Sequence, residues 1–309
     1  MSTAAAAATL ATTPSVDDAF EYCARITKAH YENFPVASLF LPEEKRPYIQ
    51  AIYAFSRIAD DFADELVRPA EDRLADLAGW EEQLLQCYQG QAVHPVFVAL
   101  RETVANLGIP IDPLRDLLSA FKRDVVQNRY ETFEDLLSYC RCSANPVGRL
   151  VLMIFGCRDD TLFALSDEIC TALQLANFWQ DVAVDQRKDR LYLPLEDLRR
   201  HGSTLEEWTS LRHTERFADL MKFQVERTRA MFYRGATLPS LVEKELQLEL
   251  KLVWFGGMAI LKKIERNGYD VLRRRPALSG WNKLMILARG LAVEDLSRFG
   301  KKREPWDQL

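Results

Sequence analysis

The stretch ALQLANFWQDVAVD, residues 172–185, decides how this chain is read. On a helical wheel at about 100° per residue, Gln174, Asn177, Asp181 and Asp185 fall within roughly an 80° arc. Around that stripe stand Leu173, Leu175, Ala176, Phe178, Trp179, Val182, Ala183 and Val184, interrupted only by Gln180. A helix apolar nearly all round belongs inside a protein, so the polar seam is expected to face the interior. Buried carboxylates are costly unless paired, protonated or bound to metal. No Lys or Arg lies on the seam; basic residues follow it in QRKDR, 186–190.

A second acidic stretch, IADDFADE, occupies residues 58–65. Extended back to Ala51, it places Tyr53, Arg57, Asp60 and Asp64 within roughly a 60° arc. Ile52, Phe55, Ala59, Phe62 and Leu66 lie opposite. Alone this is an ordinary amphipathic helix with its polar face in water, and Asp61 and Glu65 turn off the stripe, either to support its side chains from behind or to meet solvent. Together, two helices each offering an i,i+4 Asp pair make an all-oxygen site. Hard cations such as Mg²⁺ choose oxygen and bind through a few carboxylates plus substrate phosphates. Arg57, Lys188 and Arg190 suit a polyanion, and the ligand implied is a diphosphate bridged to protein by Mg²⁺.

The rest of the chain follows the helical period from Val16 onward. The spacing predicts helices over about 17–32, 43–66, 70–89, 95–107, 112–128, 132–143, 146–156, 161–185, 213–235, 240–266 and 280–290. NLGIPIDP (106–113) reads as a turn, and LYLP (191–194) and HGST (201–204) as breaks. NP at 145–146 stops one helix and starts the next, with Asn145 as N-cap and Pro146 at the first helical position. With no repeat and no βα alternation, the expectation is one all-α domain over residues 16–300, with tails at 1–15 and 301–309.

Composition narrows the function. In 309 residues there are 13 Gly and 13 Pro, few breakers for a turn-rich β-fold. A net charge of −5 argues against a general nucleic-acid role. The six Cys form no CxxC pair and the four His do not join them, so zinc and a disulfide framework are weak readings. Reduced thiols suit a cytosolic protein. No apolar run reaches the ~18–20 residues of a membrane span. MSTAAAAATLATTPS (1–15) lacks the basic residues of a secretory or transit leader. The expected location is cytoplasmic, with peripheral contact at the inner membrane face as an open alternative. LKLVWFGGMAILKKI (250–264) is the stretch weighed for such contact, against packing into the core.

At these residues the sequence resembles the squalene and phytoene synthases. YAFSRIADDFAD (53–64) looks like their first aspartate-rich motif and QLANFWQDVAVDQRKDRLYLP (174–194) like their second. The likeness continues through LPEEKRPYIQAIYAF (41–55), YCRCSANPVGRLV (139–151) and IERNGYDVLRRRPALS (264–279), nearly the whole chain after residue 17. It implies a single-domain α-helical isoprenoid synthase with a large central cavity. It implies Asp60, Asp64, Asp181 and Asp185, with Asn177, as metal ligands. Tyr53, Arg57, Arg190 and Tyr192 match positions that contact or orient the diphosphate, and Gln174 joins them on the seam. Tyr139 matches a cavity tyrosine, and SANPVG (143–148) a helix interruption that lines the pocket. Phe34, Phe178, Val147, Leu150 and Met153 are candidates for an apolar substrate wall.

Two departures bear on function. Val184 stands where the second motif usually has Glu, so one outer carboxylate is missing. HYENFPVAS (30–38) puts Asn33 where a substrate-facing Ser is common. With SANPVGRLV and NFWQDVAVD, that stretch is similar to the bacterial hydroxysqualene synthases of hopanoid pathways. The resemblance implies Mg²⁺-dependent ionisation of presqualene diphosphate and quenching by water to hydroxysqualene and diphosphate, a carbon–oxygen lyase needing no NADPH. Tyr139, Asn145, Asn33 and Glu32 are the candidates to place the water; Glu32 and His30 are equally read as solvated helix ends. Neighbouring enzymes of the pathway are conceivable partners. The alternatives are head-to-head condensation to presqualene diphosphate or phytoene, and a non-catalytic assembly factor of the same fold.

Overall fold

The structure, a computed structural model, describes residues 14–29, 42–65 and 67–299. His30, Glu32, Asn33, Phe34 and most of the two expected tails therefore lie outside the described residues. The chain runs α1 (Val16–Ala29), α2 (Arg46–Asp64), α3 (Ala70–Tyr88), α4 (Pro95–Leu107), α5 (Asp112–Val126), α6 (Phe133–Ser143), α7 (Asn145–Ile154) and α8 (Asp160–Gln186). It continues with α9 (Leu195–Arg200), α10 (Leu205–Thr209), α11 (Glu215–Gly235), α12 (Lys244–Arg266) and α13 (Gly280–Ala292). No strand occurs among the described residues, so the all-α expectation holds. The short α9 falls between the expected breaks and α10 just after the second, each too brief to show a helical period.

The 27-residue α8 is the central element, packed against α6, α7, α11 and α12. Asp159 caps it, its carboxylate accepting from the Thr161 and Leu162 amides at 2.8 and 3.2 Å. Trp179 is fully buried and donates its indole N–H to Thr228 of α11 at 2.8 Å. α7 lies close on α8 because residue 148 is glycine: a Cβ there would overlap the Ser166 hydroxyl and the Cys170 sulfur. Stretch 250–264 belongs to the core, with Leu252, Trp254, Phe255, Met258 and Leu261 all buried.

One boundary differs from expectation. Asn145 is the first residue of α7 and not its cap; Ala144 takes that place without a side-chain bond. The Asn145 Oδ1 instead accepts from Thr171 at 2.8 Å, tying α7 to α8. The side chain is thus used for a tertiary partner and not for a local cap.

Candidate active site

Asp60 and Asp64 stand one turn apart on α2. Arg57 Nη1 donates to Asp60 Oδ2 at 3.1 Å, and the other guanidinium nitrogen bonds Asp61. Asp61 and Glu65 are exposed, Glu65 bonding Arg68 at 3.3 Å, so both turn off the stripe as the wheel requires. Tyr53 lies half-buried one turn before Arg57; burial opposes the Arg57 charge, and Asp61 and Asp60 outweigh it and raise the guanidinium above its ordinary value. Asp64 accepts from Lys188 Nζ and Arg190 Nη1, each at 2.9 Å, across 124 and 126 residues.

That pairing depends on how the chain leaves α8. The Arg190 amide turns back onto the Asp185 carbonyl at 2.9 Å, and Asp189 takes a left-handed φ of 53°. Asp tolerates that conformation better than most residues. Leu191 N then bonds Asn128 O, and Leu195 N bonds Tyr130 O, each at 3.0 Å. This short parallel contact pins residues 190–195 to the α5–α6 turn and aims Arg190 at α2.

On α8, Asn177 is exposed, while Gln174, Asp181 and Asp185 are half-buried. The seam, expected to face inward across a cavity, is thus more open to solvent than that expectation. Leu175, Ala176, Phe178, Trp179 and Val182 of the apolar coat are buried, while Leu173 and Ala183 are half-buried and Val184 is exposed; α2 does not pack along α8, so the seam fronts a gap that solvent reaches. Nor is the seam without a base. Arg275 reaches back to Asp181 with two nitrogens, Nη2 donating to Oδ2 at 3.1 Å. Gln180 secures the same segment, donating to the Pro276 carbonyl at 2.6 Å. The Asp185 carboxylate, unlike its backbone carbonyl, holds no hydrogen bond or ion pair among the described residues.

Beside the carboxylates lies an aromatic wall. Tyr192 stacks on Phe178 with centroids 3.7 Å apart, and Tyr139 stands 6.0 Å from Tyr192 and 6.1 Å from Phe178. Tyr139 donates its hydroxyl to Asp124 Oδ2 at 2.7 Å. Asp124 Oδ1 is sealed from solvent without a hydrogen-bond partner. Of the other wall candidates, Leu150 and Met153 are buried on α7 and Val147 is exposed.

The electrostatics follow from this crowding. Burial, then repulsion from Asp64, pushes the Asp60 carboxyl up to about 6. Burial, then Asp181, pushes Asp185 up to about 7. Burial raises Asp124 to about 6 against the opposing Tyr139 hydrogen bond. Asp64 goes the other way: burial opposes, but the Lys188 and Arg190 contacts hold it below the ordinary carboxylate range.

These residues fit a hard cation. Their donors are carboxylate and amide oxygens, and the shared rise at Asp60 and Asp185 is a strain that a divalent ion relieves. Among the described residues no three acidic, His or Cys side chains converge closely enough to cage an ion alone. The set therefore suits an ion that also takes oxygens from a substrate phosphate.

Sequence reasoning missed Asp124 and Arg275. Asp124 sits in the mixed-charge run FKRDVVQNR (121–129), where nothing marks it from solvated neighbours. Arg275 lies in the RRRP stretch, whose three arginines gave no sign of which one turns inward.

Comparison with known proteins identifies relatives of the chain. A squalene/phytoene synthase profile matches residues 27–282. The chain is 31% identical over 283 residues to a phytoene synthase of Arthrospira platensis, covering 87% of this chain and 91% of that one. It is 42% identical over 176 residues to a hydroxysqualene synthase of Zymomonas mobilis, covering 56% and 58% respectively. The crystal structure of squalene synthase HpnC from Alicyclobacillus acidocaldarius superposes with a TM-score of 0.79 at 44% identity, covering 82% of this chain and 95% of that chain.

Proposed function

The chain belongs to the squalene/phytoene synthase family, and from that premise we propose that it is a hydroxysqualene synthase acting on presqualene diphosphate. The observation that carries this reading is one juxtaposition. Two aspartate pairs ringed by Arg57, Lys188, Arg190 and Arg275 lie beside an aromatic wall that contains the Tyr139–Asp124 pair.

Asp60, Asp64, Asn177, Asp181 and Asp185 would hold Mg²⁺, which when bound neutralises charge on the departing diphosphate. Arg57, Lys188 and Arg190 add cationic donors aimed at the same group, stabilising it as the carbon–oxygen bond breaks and the electron pair leaves with oxygen. Tyr53 and Gln174 flank that grip. The faces of Phe178, Tyr139 and Tyr192 stabilise the cation left behind, as aromatic faces do for positive charge. Water attacks the rearranged cation. Its proton passes through the Tyr139 oxygen to the Asp124 carboxylate, which the phenol already contacts at 2.7 Å. No hydride donor enters this sequence.

The choice of product rests on the 42% likeness to a hydroxysqualene synthase. The 31% likeness to a phytoene synthase, over most of the chain, supports a second reading: head-to-head condensation of two prenyl diphosphates by the same aspartates. Supplying purified enzyme and Mg²⁺ with presqualene diphosphate, farnesyl diphosphate or a C20 diphosphate in separate incubations distinguishes them. An alcohol from the first substrate alone supports the lead reading; phytoene or presqualene diphosphate from the others supports the second.

A further inference from the structure

α13 turns an uncharged apolar face to solvent. Trp281, Leu284 and Leu291 are 68%, 54% and 68% exposed, and Ala288 between them is exposed as well. At about 100° per residue the four lie within roughly an 80° arc. Ile286 and Gly290 face the other way and are buried. A Cβ at Gly290 would come within 2.8 Å of the Leu252 side chain, so α13 sits tightly on α12 with its apolar face outward.

The surroundings are basic. A cleft of about 600 Å³ between α12 and α13 is lined by Lys263, Arg266 and Arg274, with Trp281 and Met285 also on its wall. Lys262 and Arg275 line it too but are engaged, with Glu265 at 3.1 Å and with Asp181. Lys263, Arg266, Arg274 and Lys283 hold no ion pair or side-chain hydrogen bond among the described residues. Uncompensated Lys and Arg around exposed Trp and Leu is the composition of a helix lying in a bilayer interface, where Trp sits at headgroup depth. Protein–protein interfaces are instead depleted in Lys.

We propose that this face docks on an anionic lipid bilayer, with Trp281, Leu284 and Leu291 entering the headgroup–acyl boundary and Lys263, Arg266, Arg274 and Lys283 meeting lipid phosphates. No helix among the described residues is long and apolar enough to cross a membrane, so the contact is peripheral. It stands whichever prenyl diphosphate the active site takes.

The test is flotation of the full chain with vesicles of phosphatidylcholine alone and of phosphatidylcholine mixed with phosphatidylglycerol. Wild-type protein floats with the anionic vesicles, not the neutral ones, and is released as salt rises. Paired substitutions Trp281→Ser with Leu291→Ser, and Lys263→Glu with Arg274→Glu, each lower the bound fraction about tenfold. Their Tm and their diphosphate release from detergent-dispersed substrate stay at wild type, because none of these residues touches the active site. Failure of wild type to float, or flotation of both variants like wild type, overturns the proposal. So does a wild-type dimer in sedimentation that the serine pair dissociates without any vesicle binding; the face would then join two copies of the chain.

Discussion

Tyr139 and Asp124 share a 2.7 Å hydrogen bond in which the phenol donates, while the other Asp124 oxygen is sealed without a partner. They come from the middle of α6 and the last turn of α5, and the bond places a proton acceptor directly behind the aromatic wall. Asp124→Asn keeps the shape and removes the acceptor. The expected result is continued diphosphate release with the alcohol fraction reduced by about 10²-fold or more. Chromatography of the products alongside a phosphate-release assay reads both. An unchanged alcohol yield removes Asp124 from the mechanism.

The two aspartate pairs should act at the earlier step. Asp60→Ala and Asp181→Ala are each expected to slow diphosphate release by at least ~100-fold. Chelation of Mg²⁺ should do the same to wild type, with recovery on re-addition. Melting curves of both variants check that the fold survives. Full turnover in both would end the assignment of these residues.

Gly148 supplies a stability test independent of the chemistry. Gly148→Ala thrusts a methyl into Ser166 and Cys170 and forces α7 away from α8, at a cost of about 1–3 kcal/mol. Adding Ser166→Gly and Cys170→Ala makes room, and denaturant titration should show most of the loss restored.

Glu249 gives a pH signature. It is buried on α12, Oε2 has no partner, and burial alone raises its carboxyl to about 7. A carboxyl raised on folding binds more protons folded than unfolded between about pH 4.5 and 7, so stability falls as pH rises through that window. Asp60, Asp124 and Asp185 push in the same direction; the lowered Asp64 opposes only as the solution becomes more acidic. Glu249→Gln removes its share, raising stability at pH 8 by on the order of 2–3 kcal/mol and leaving pH 5 nearly unchanged. Equal Tm shifts at both pH values would contradict this account of Glu249.

Much of this architecture was legible in the chain. The helical period and the break at 145–146 outlined the long helices, and the stripes on 51–65 and 172–185 picked out the carboxylates. The limits were physical. A wheel shows which residues share a face but not what that face meets, so the seam of α8 read as buried when it fronts a gap. Arg275 is 94 residues from Asp181, and no local pattern encodes their pairing. Asp124 gains its setting only when α5 ends against Tyr139 and Arg190. The sequence predicted a helix over 280–290 but not which of its sides packs on α12 and which is left to solvent.

The central claim is tested most directly by incubating the purified protein with presqualene diphosphate and Mg²⁺, without NADPH, and identifying the product by mass spectrometry. The account predicts hydroxysqualene with one diphosphate released per alcohol formed, and ¹⁸O in the product when the reaction runs in H₂¹⁸O. Squalene alone, or no turnover while two prenyl diphosphates are condensed, would contradict it.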